Sequence, residues 1–495
     1  MKNKNINLID VTVRDGHQCL WATRMTTAMI KTVISELDNA GFEAIDLVGG
    51  AVFDVCVRYL KEDPWERMRL VSSWAKNTPL IIHTRGQSLF TFEFFSDDVV
   101  ELAAERFVAN GMRYHTPYDA LNDIRNLKIP IEAAKKNGLH VVPGIVFTES
   151  PVHTDDYYSK KAQELINIGV DGIFIKDASG LLRPERIVTL VKSIKSVIKD
   201  LPLQLHSHCS SGLSPYVAMK AIENGVEVVH TATSPLANGT SHPPTEQFIL
   251  NCRRLGYKID IDLELIDKVA EKITYIAKRE DKPIGKPLLY DEFHYHHQMA
   301  GGAISNLKYQ LDTMGLGNRL EEILDEAGKV RADLGYPIVV SPFASYITAQ
   351  ALLNVLSMDK KNERYSNVPD EVKLYVRGGY GEIAGQIDPN LYDKICKGEK
   401  KITQRAGELV SSMIKKVKKK YVSLKNDDDL LLAIFYDEKI YNELKSSGPI
   451  KTNYPLMKTP LLTLVKEISE NSNISSFHFI DNRKLERKIW KNPAL

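Results

Sequence analysis

No stretch of the 495-residue chain approaches the roughly 20 consecutive apolar positions that span a bilayer, and the opening MKNKNINLID lacks the apolar run of a secretory leader. Cysteine is sparse as well. Cys19, Cys56, Cys209, Cys252 and Cys396 are far apart, odd in number and contain no C-x-x-C pair, which argues against a disulfide framework, structural zinc or thiol exchange and suits a reducing cytoplasm. Excess charge is also missing: 65 Lys and Arg stand against 63 Asp and Glu, so no bulk field directs the chain to nucleic acid or acidic lipid. What remains is a globular composition, 43% hydrophobic and 26% charged, on a chain too long for one ordinary core. Two or three domains and small-molecule chemistry are the expectation.

From residue 1 to about 240, short apolar runs recur, each followed by a polar cluster and a helix-like segment. Eight candidate strands follow: 6–12, 44–50, 80–86, 112–118, 140–146, 172–178, 203–209 and 227–235. Between them lie amphipathic stretches such as PERIVTLVKSIKSVIKD (184–200), with Pro184 where a first helical turn accepts it. Eight parallel strands alternating with helices predict an α/β (β/α)8 TIM barrel; an open doubly wound sheet has no reason to stop at eight. In such a barrel the chemistry sits at the C-terminal strand ends.

Those ends are polar. LIDVTVRDGHQCLWATRM (8–25) crowds Arg14, Asp15, His17 and Gln18 behind the first strand, Arg85 follows the third, Lys176 ends the sixth, and His206 and His208 end the seventh. Residues two apart on a strand share a face, so H-x-H with a distant carboxylate, Asp15, fits a divalent metal ion. Lys176 leaves alternatives open. A cationic amine repels a divalent ion; it pairs with Asp177 as a salt bridge, or carbamylation by carbon dioxide turns it into an anionic ligand.

RDGHQ with LWATRM, GGAVFDVCVRYLKEDPWERM, FIKDASGLL, LHSHCSSGL, TSPLANGTSHPPTE and HQMAGGAISNL, in that order, resemble the carboxyltransferase domain shared by pyruvate carboxylase, including its two-subunit form, the oxaloacetate decarboxylase alpha subunit and the small carboxyltransferase subunit of transcarboxylase. The likeness runs from about residue 6 to about 440. It implies metal ligands at Asp15, carbamylated Lys176, His206 and His208 for Zn, Mn or Co. It also implies substrate-side groups at Arg14, Gln18, Arg85 and Asp54, where guanidinium forks suit the carboxylates of pyruvate and oxaloacetate. A salt bridge is the competing reading of Asp54, which lies in a helix-like run beyond a strand end. In LGYPIVVSPFASYITAQALLNVL (334–356) the family's proton-shuttling threonine falls on Ser341, which keeps the hydroxyl. The same serine, ahead of Pro342, reads as a helix N-cap, and both readings hold together. His17 is assigned no chemistry.

The chain departs from the family at several places: Phe92 for a tyrosine, Thr116 for an arginine, His230 for an aspartate, and Phe343 and Ala344 for polar residues. Losing an arginine and a phenol changes what stays ionised nearby. The expected layout is a barrel over residues 1–305, a helix-rich domain over 306–440 that contributes Ser341, and an extension over 441–495 of unknown role. No A-M-K-M biotinylation hairpin is present; LMKTP (456–460) is the nearest string. Biotin is therefore expected in trans from a carrier protein, within a homodimer and a larger carboxylase complex in the cytoplasm. The competing readings are a catalytically degenerate scaffold subunit, a carboxyltransferase with an altered 2-oxo acid or acyl substrate, and an aldol-type lyase or synthase using an acyl-CoA.

Overall fold

The structure is a computed structural model describing residues 4–299, 301–420, 424, 426–456, 476–480 and 486–490. All eight expected strands form, because each is a short run buried on both faces: β1 (Asn7–Asp10), β2 (Ala44–Val48), β3 (Leu80–Thr84), β4 (Tyr114–Pro117), β5 (His140–Val141) with β6 (Gly144–Val146), β7 (Ile173–Asp177), β8 (Leu203–Ser207) and β9 (Val228–Thr231). The fifth expected strand is split. Pro143 has no N–H to give to a ladder, so the run breaks there into β5 and β6.

Every neighbouring pair is parallel, in the order β5-β4-β3-β2-β1-β9-β8-β7-β6. The two ends of that order are the halves of one strand, so the sheet closes on itself as a (β/α)8 barrel. Strand β1 locks the closure, with Ile9 opposite Ala44 on one side and Leu8 opposite Val229 on the other. Helices cover the outside; Pro184–Ile198 begins on its proline as expected and buries Ile187, Leu190, Val191 and Ile194.

Helices Gly301–Thr313, Leu320–Asp333, Phe343–Asp359, Asp370–Val376 and Pro389–Cys396 build a second core. Leu121, from the barrel segment after β4, enters it. The Ser179 hydroxyl donates to the Val339 carbonyl (3.3 Å), which ties the segment before Ser341 to the loop three residues beyond Lys176. Helices Asp427–Phe435 and Glu438–Ser446 return to the barrel core through Leu431, Leu432, Phe435, Tyr436 and Leu444. The boundary expected at 440/441 falls inside this pair. Further on, Ser476–Ile480 and Glu486–Trp490 pair as an antiparallel hairpin. Most of LMKTP lies outside the described residues. No helix among the described residues is long and apolar enough to cross a membrane.

Candidate active site and metal centre

Strand β1 ends in a π-helical turn, Thr12–Gly16, in which the amides of Asp15 and Gly16 both donate to the Val11 carbonyl at 2.9 Å. Such a turn adds a residue per turn and re-aims side chains, here Arg14 and Asp15, over the strand end. The Arg14 fork is fully engaged: Nε and an Nη reach Asp46 Oδ2 at 2.7 and 2.5 Å, and the other Nη lies 2.8 Å from Asp15 Oδ1. The structure thus gives Arg14 a holding role toward Asp15, with Asp46 from β2 as its anchor. Burial pushes the Asp15 carboxyl up, but Arg14 and then the neighbouring histidines overcome it and hold the group well below the usual carboxylate range.

Three imidazoles converge on Asp15 Oδ2, with Nε2 of His206 and His208 each at 3.2 Å and Nε2 of His242 at 2.7 Å. These four groups are the described residues' one set of at least three His, Cys, Asp or Glu ligand atoms lying within 4.8 Å of one another. His208 supplies the test of whether a cation fits. Its Nδ1 lies 2.7 Å from the Thr240 carbonyl, which can only accept, so Nδ1 carries a proton and the neutral form of the ring presents a lone pair on Nε2 to the carboxylate oxygen. In that form lone pair faces lone pair across 3.2 Å, an arrangement that a cation between them relieves. Burial above all, then the Lys176 charge, drives the His206 imidazole well below its ordinary pKa, and burial takes His242 to about 3, so both rings are neutral near pH 7. Neutral imidazoles and a carboxylate suit zinc and similar divalent ions.

Lys176 Nζ lies 3.5 Å from His206 Nε2 and over the Tyr118 ring, 5.0 Å from its centroid. Asp177, its expected salt-bridge partner, instead accepts from the amides of Leu181 and Leu182 and from the Ser207 hydroxyl. Burial, with Arg14 next, lowers the Lys176 amine to about 8. A larger share is therefore uncharged at neutral pH than for a free lysine, and the uncharged amine is the form that adds carbon dioxide. Half-buried Gln18, three residues beyond Asp15 in the chain, has no hydrogen-bond partner among the described residues, so its amide is free. His17 is fully buried with both ring nitrogens unpaired.

Arg85 and Ser341 line one narrow cleft, with Thr91, Phe92, Asp119, Phe343 and Tyr380 in its walls. An Arg85 Nη donates to the Phe90 carbonyl at 2.7 Å, and the guanidinium lies 4.6 Å from the Phe92 centroid, so Phe92 keeps a ring face for the arginine while losing the phenol. Ser341 does not cap the following helix: the N-cap position is Pro342 and no side chain bonds there, which leaves the exposed hydroxyl free toward the cleft. Asp54 is not in this cleft or the metal cluster. It pairs with Arg58 at 2.7 Å on one helix face, 36% exposed. Thr116 bonds the His83 Nδ1 at 2.8 Å, a neutral pair where an arginine was expected.

Sequence reasoning passed over His242 and Asp46. The first sat inside the quoted TSPLANGTSHPPTE, and the second, an acid in the middle of an apolar strand, was itself a signal of a buried partner.

Two family models match the chain, HMGL-like over residues 114–273 and the conserved carboxylase domain over residues 295–477. The chain is 38% identical over 490 residues to a pyruvate carboxylase subunit of Methanocaldococcus jannaschii, spanning 98% of this chain and 84% of that protein. It is 37% identical over 393 residues to the 2-oxoglutarate carboxylase large subunit of Hydrogenobacter thermophilus, spanning 79% and 60%. Among solved structures, the carboxyl transferase domain of Rhizobium etli pyruvate carboxylase with pyruvate superposes with a TM-score of 0.83 at 26% identity, over 92% of this chain and 80% of that one.

Proposed function

Because the chain belongs to the biotin-dependent carboxyltransferase family that includes the pyruvate carboxylase subunit of Methanocaldococcus jannaschii, we propose that it moves a carboxyl group between biotin on a separate carrier protein and a 2-oxo acid, pyruvate or oxaloacetate. The observation that carries this reading is the convergence of Asp15, His206, His208 and Lys176 at the barrel mouth, together with Ser341 and Arg85 sharing one cleft.

Asp15, His206, His208 and carbamylated Lys176 are the residues that hold the metal in this reading. A divalent ion bound there supplies Lewis-acid polarisation of the substrate ketone. Arg85 provides the charge that fixes the substrate carboxylate, and the free Gln18 amide donates to its carbonyl oxygen. Ser341 Oγ takes a proton from the substrate's methyl carbon as its own proton passes to the carboxyl donor, and reverses that transfer in the other direction. The rings of Phe92, Phe343 and Tyr380 give the cleft apolar walls that limit water. All five cysteines are free, in keeping with a cytoplasmic enzyme, and a homodimer within a larger carboxylase complex supplies the carrier.

Oxaloacetate decarboxylation with and without free biotin tests the assignment, comparing wild type with Lys176→Ala and Ser341→Ala. Each variant is expected to lose about 100-fold or more. Equal activity in all three would sink it, and metal uptake without transfer to any 2-oxo acid would leave the scaffold reading.

A second reading, another 2-oxo acid as substrate, is favoured by the neutral Thr116–His83 pair and by the likeness to a 2-oxoglutarate carboxylase. A substrate panel that includes 2-oxoglutarate decides between them.

A further inference from the structure

The three histidines around Asp15 differ in hydrogen bonding, and the difference separates them by role. A neutral imidazole has one N–H and one lone pair, so whatever binds Nδ1 dictates what Nε2 offers. For His206 the partner of Nδ1 is another histidine, with His206 Nδ1 and His230 Nδ1 3.0 Å apart. One of these nitrogens must donate. His230 Nε2 faces Gln204 Oε1 at 3.1 Å, and the Gln204 amide nitrogen donates to the Tyr114 hydroxyl at 2.5 Å. With the Gln204 oxygen accepting, His230 carries its proton on Nε2, its Nδ1 accepts, and His206 is left with a lone pair on Nε2. The relay is fully buried and crosses the barrel interior from β9 through β8 to β4.

His242 is the opposite case. Its Nδ1 is buried and has no partner, whereas its Nε2 makes the shortest of the three contacts to Asp15, 2.7 Å. A proton on Nδ1 would leave a buried donor unsatisfied and set two lone pairs against each other at that distance. A proton on Nε2 satisfies Asp15.

We propose that His230 and His242 are positioning residues of the metal centre: His230, anchored by Gln204 and Tyr114, accepts the Nδ1 proton of His206 and so makes its Nε2 a ligand, while His242 donates to Asp15 and is not a ligand. The proposal rests on the metal-dependent reading above. It also accounts for the histidine at 230, since an imidazole lone pair does there, without charge, the accepting that a carboxylate does.

The test is Co2+ binding to the purified full-length chain, by competition against a chelator and by the visible spectrum of the bound ion, neither of which requires turnover. His230→Phe keeps a ring and removes the acceptor; His230→Asp removes the ring and keeps an acceptor. Affinity that follows the acceptor, about 10- to 100-fold weaker in His230→Phe and at or above wild type in His230→Asp, is expected. Affinity that follows the ring overturns the role of His230. If His230→Phe does not fold, His230→Asp decides alone: wild-type or tighter binding supports the relay, and binding weaker by about 10-fold or more overturns it. His242→Gln keeps an N–H donor and is expected to leave the Co2+ bands in place; displaced bands would make His242 a ligand and overturn its half. Wild-type protein that takes up no metal would remove the metal-dependent reading itself, an outcome distinct from either of these.

Discussion

Arg85 reaches the cleft past Gly50, the first residue of the helix after β2, and its guanidinium occupies the space a side chain there would take. A Cβ at Gly50 would lie 2.0 Å from one Arg85 Nη and 2.5 Å from Cζ. Gly50→Ala therefore displaces the guanidinium without touching the metal cluster. The expected result is a KM for the 2-oxo acid raised by about tenfold or more, equivalent to about 1.4 kcal/mol, with metal content unchanged. An unchanged KM would take Arg85 out of substrate binding. Which single residues were legible in the sequence follows from how local their signals are. His206 and His208 announce themselves as H-x-H at a strand end. His242 sits in an irregular return between Asn238 and Pro244, where no periodicity says which way a side chain points, and only the folded loop brings it to Asp15. Arg14 was readable as functional, yet its fork is occupied by Asp46, a residue of the neighbouring strand whose register no sequence pattern specified.

At the scale of elements, amphipathic patterns told which segments bury a face but not what they bury it against. The helix pair in NDDDLLLAIFYDEKIYNEL was foreseeable; its docking on the barrel was not. Phe435 lies among Phe53, Phe90 and Phe95, with centroids 5.9, 6.1 and 5.0 Å away, and Phe90 stacks on Phe53 at 4.0 Å. Phe435→Ala is expected to cost about 3–5 kcal/mol of stability in denaturant unfolding. Since the Phe90 carbonyl also accepts from Arg85, the same variant should raise the KM; a stability loss with no KM change would uncouple that cluster from the cleft. The helical unit is joined to the barrel by polar contacts as well. Asp123 Oδ2 accepts from the Glu382 amide at 2.9 Å and from an Arg125 Nη at 2.6 Å. Burial raises the Asp123 pKa, but the Arg125 bond and the Glu382 amide outweigh it, so the folded value lies below the ordinary one. The contribution is thus fully present above the unfolded pKa of about 3.9 and fades as pH falls through the lower folded value. Asp123→Asn should be less stable than wild type by about 1–3 kcal/mol near neutrality, and the two should converge below about pH 4. A gap that persisted unchanged in acid would assign the loss to packing.

For the whole molecule, the repeating βα rhythm was enough to foresee the barrel, because eight units leave no unpaired edge and closure satisfies every inner strand. The position of the second core over the mouth was less readable, since Ser179 and Val339 meet only after both units have formed. The proposed ligands lie on one arc of that closed sheet but far apart in the chain: Asp15 after β1, Lys176 in β7, and His206 and His208 in and after β8. No segment of the unfolded chain holds more than two of them, so a metal ion binds the folded barrel in preference and stabilises it by linkage. At a free concentration 100 times its Kd the gain is about 2.7 kcal/mol, which for a barrel of this size raises Tm by about 4 °C. Chelator-treated protein should melt lower by that amount in calorimetry, recover on addition of Zn2+, Mn2+ or Co2+, and lose the response in His208→Ala. His208 is the discriminating position because its Nδ1 bond to Thr240 already turns Nε2 toward Asp15. If metal-free and metal-loaded wild type melted together, the cluster around Asp15 would be a hydrogen-bonded core of the barrel and not a metal centre.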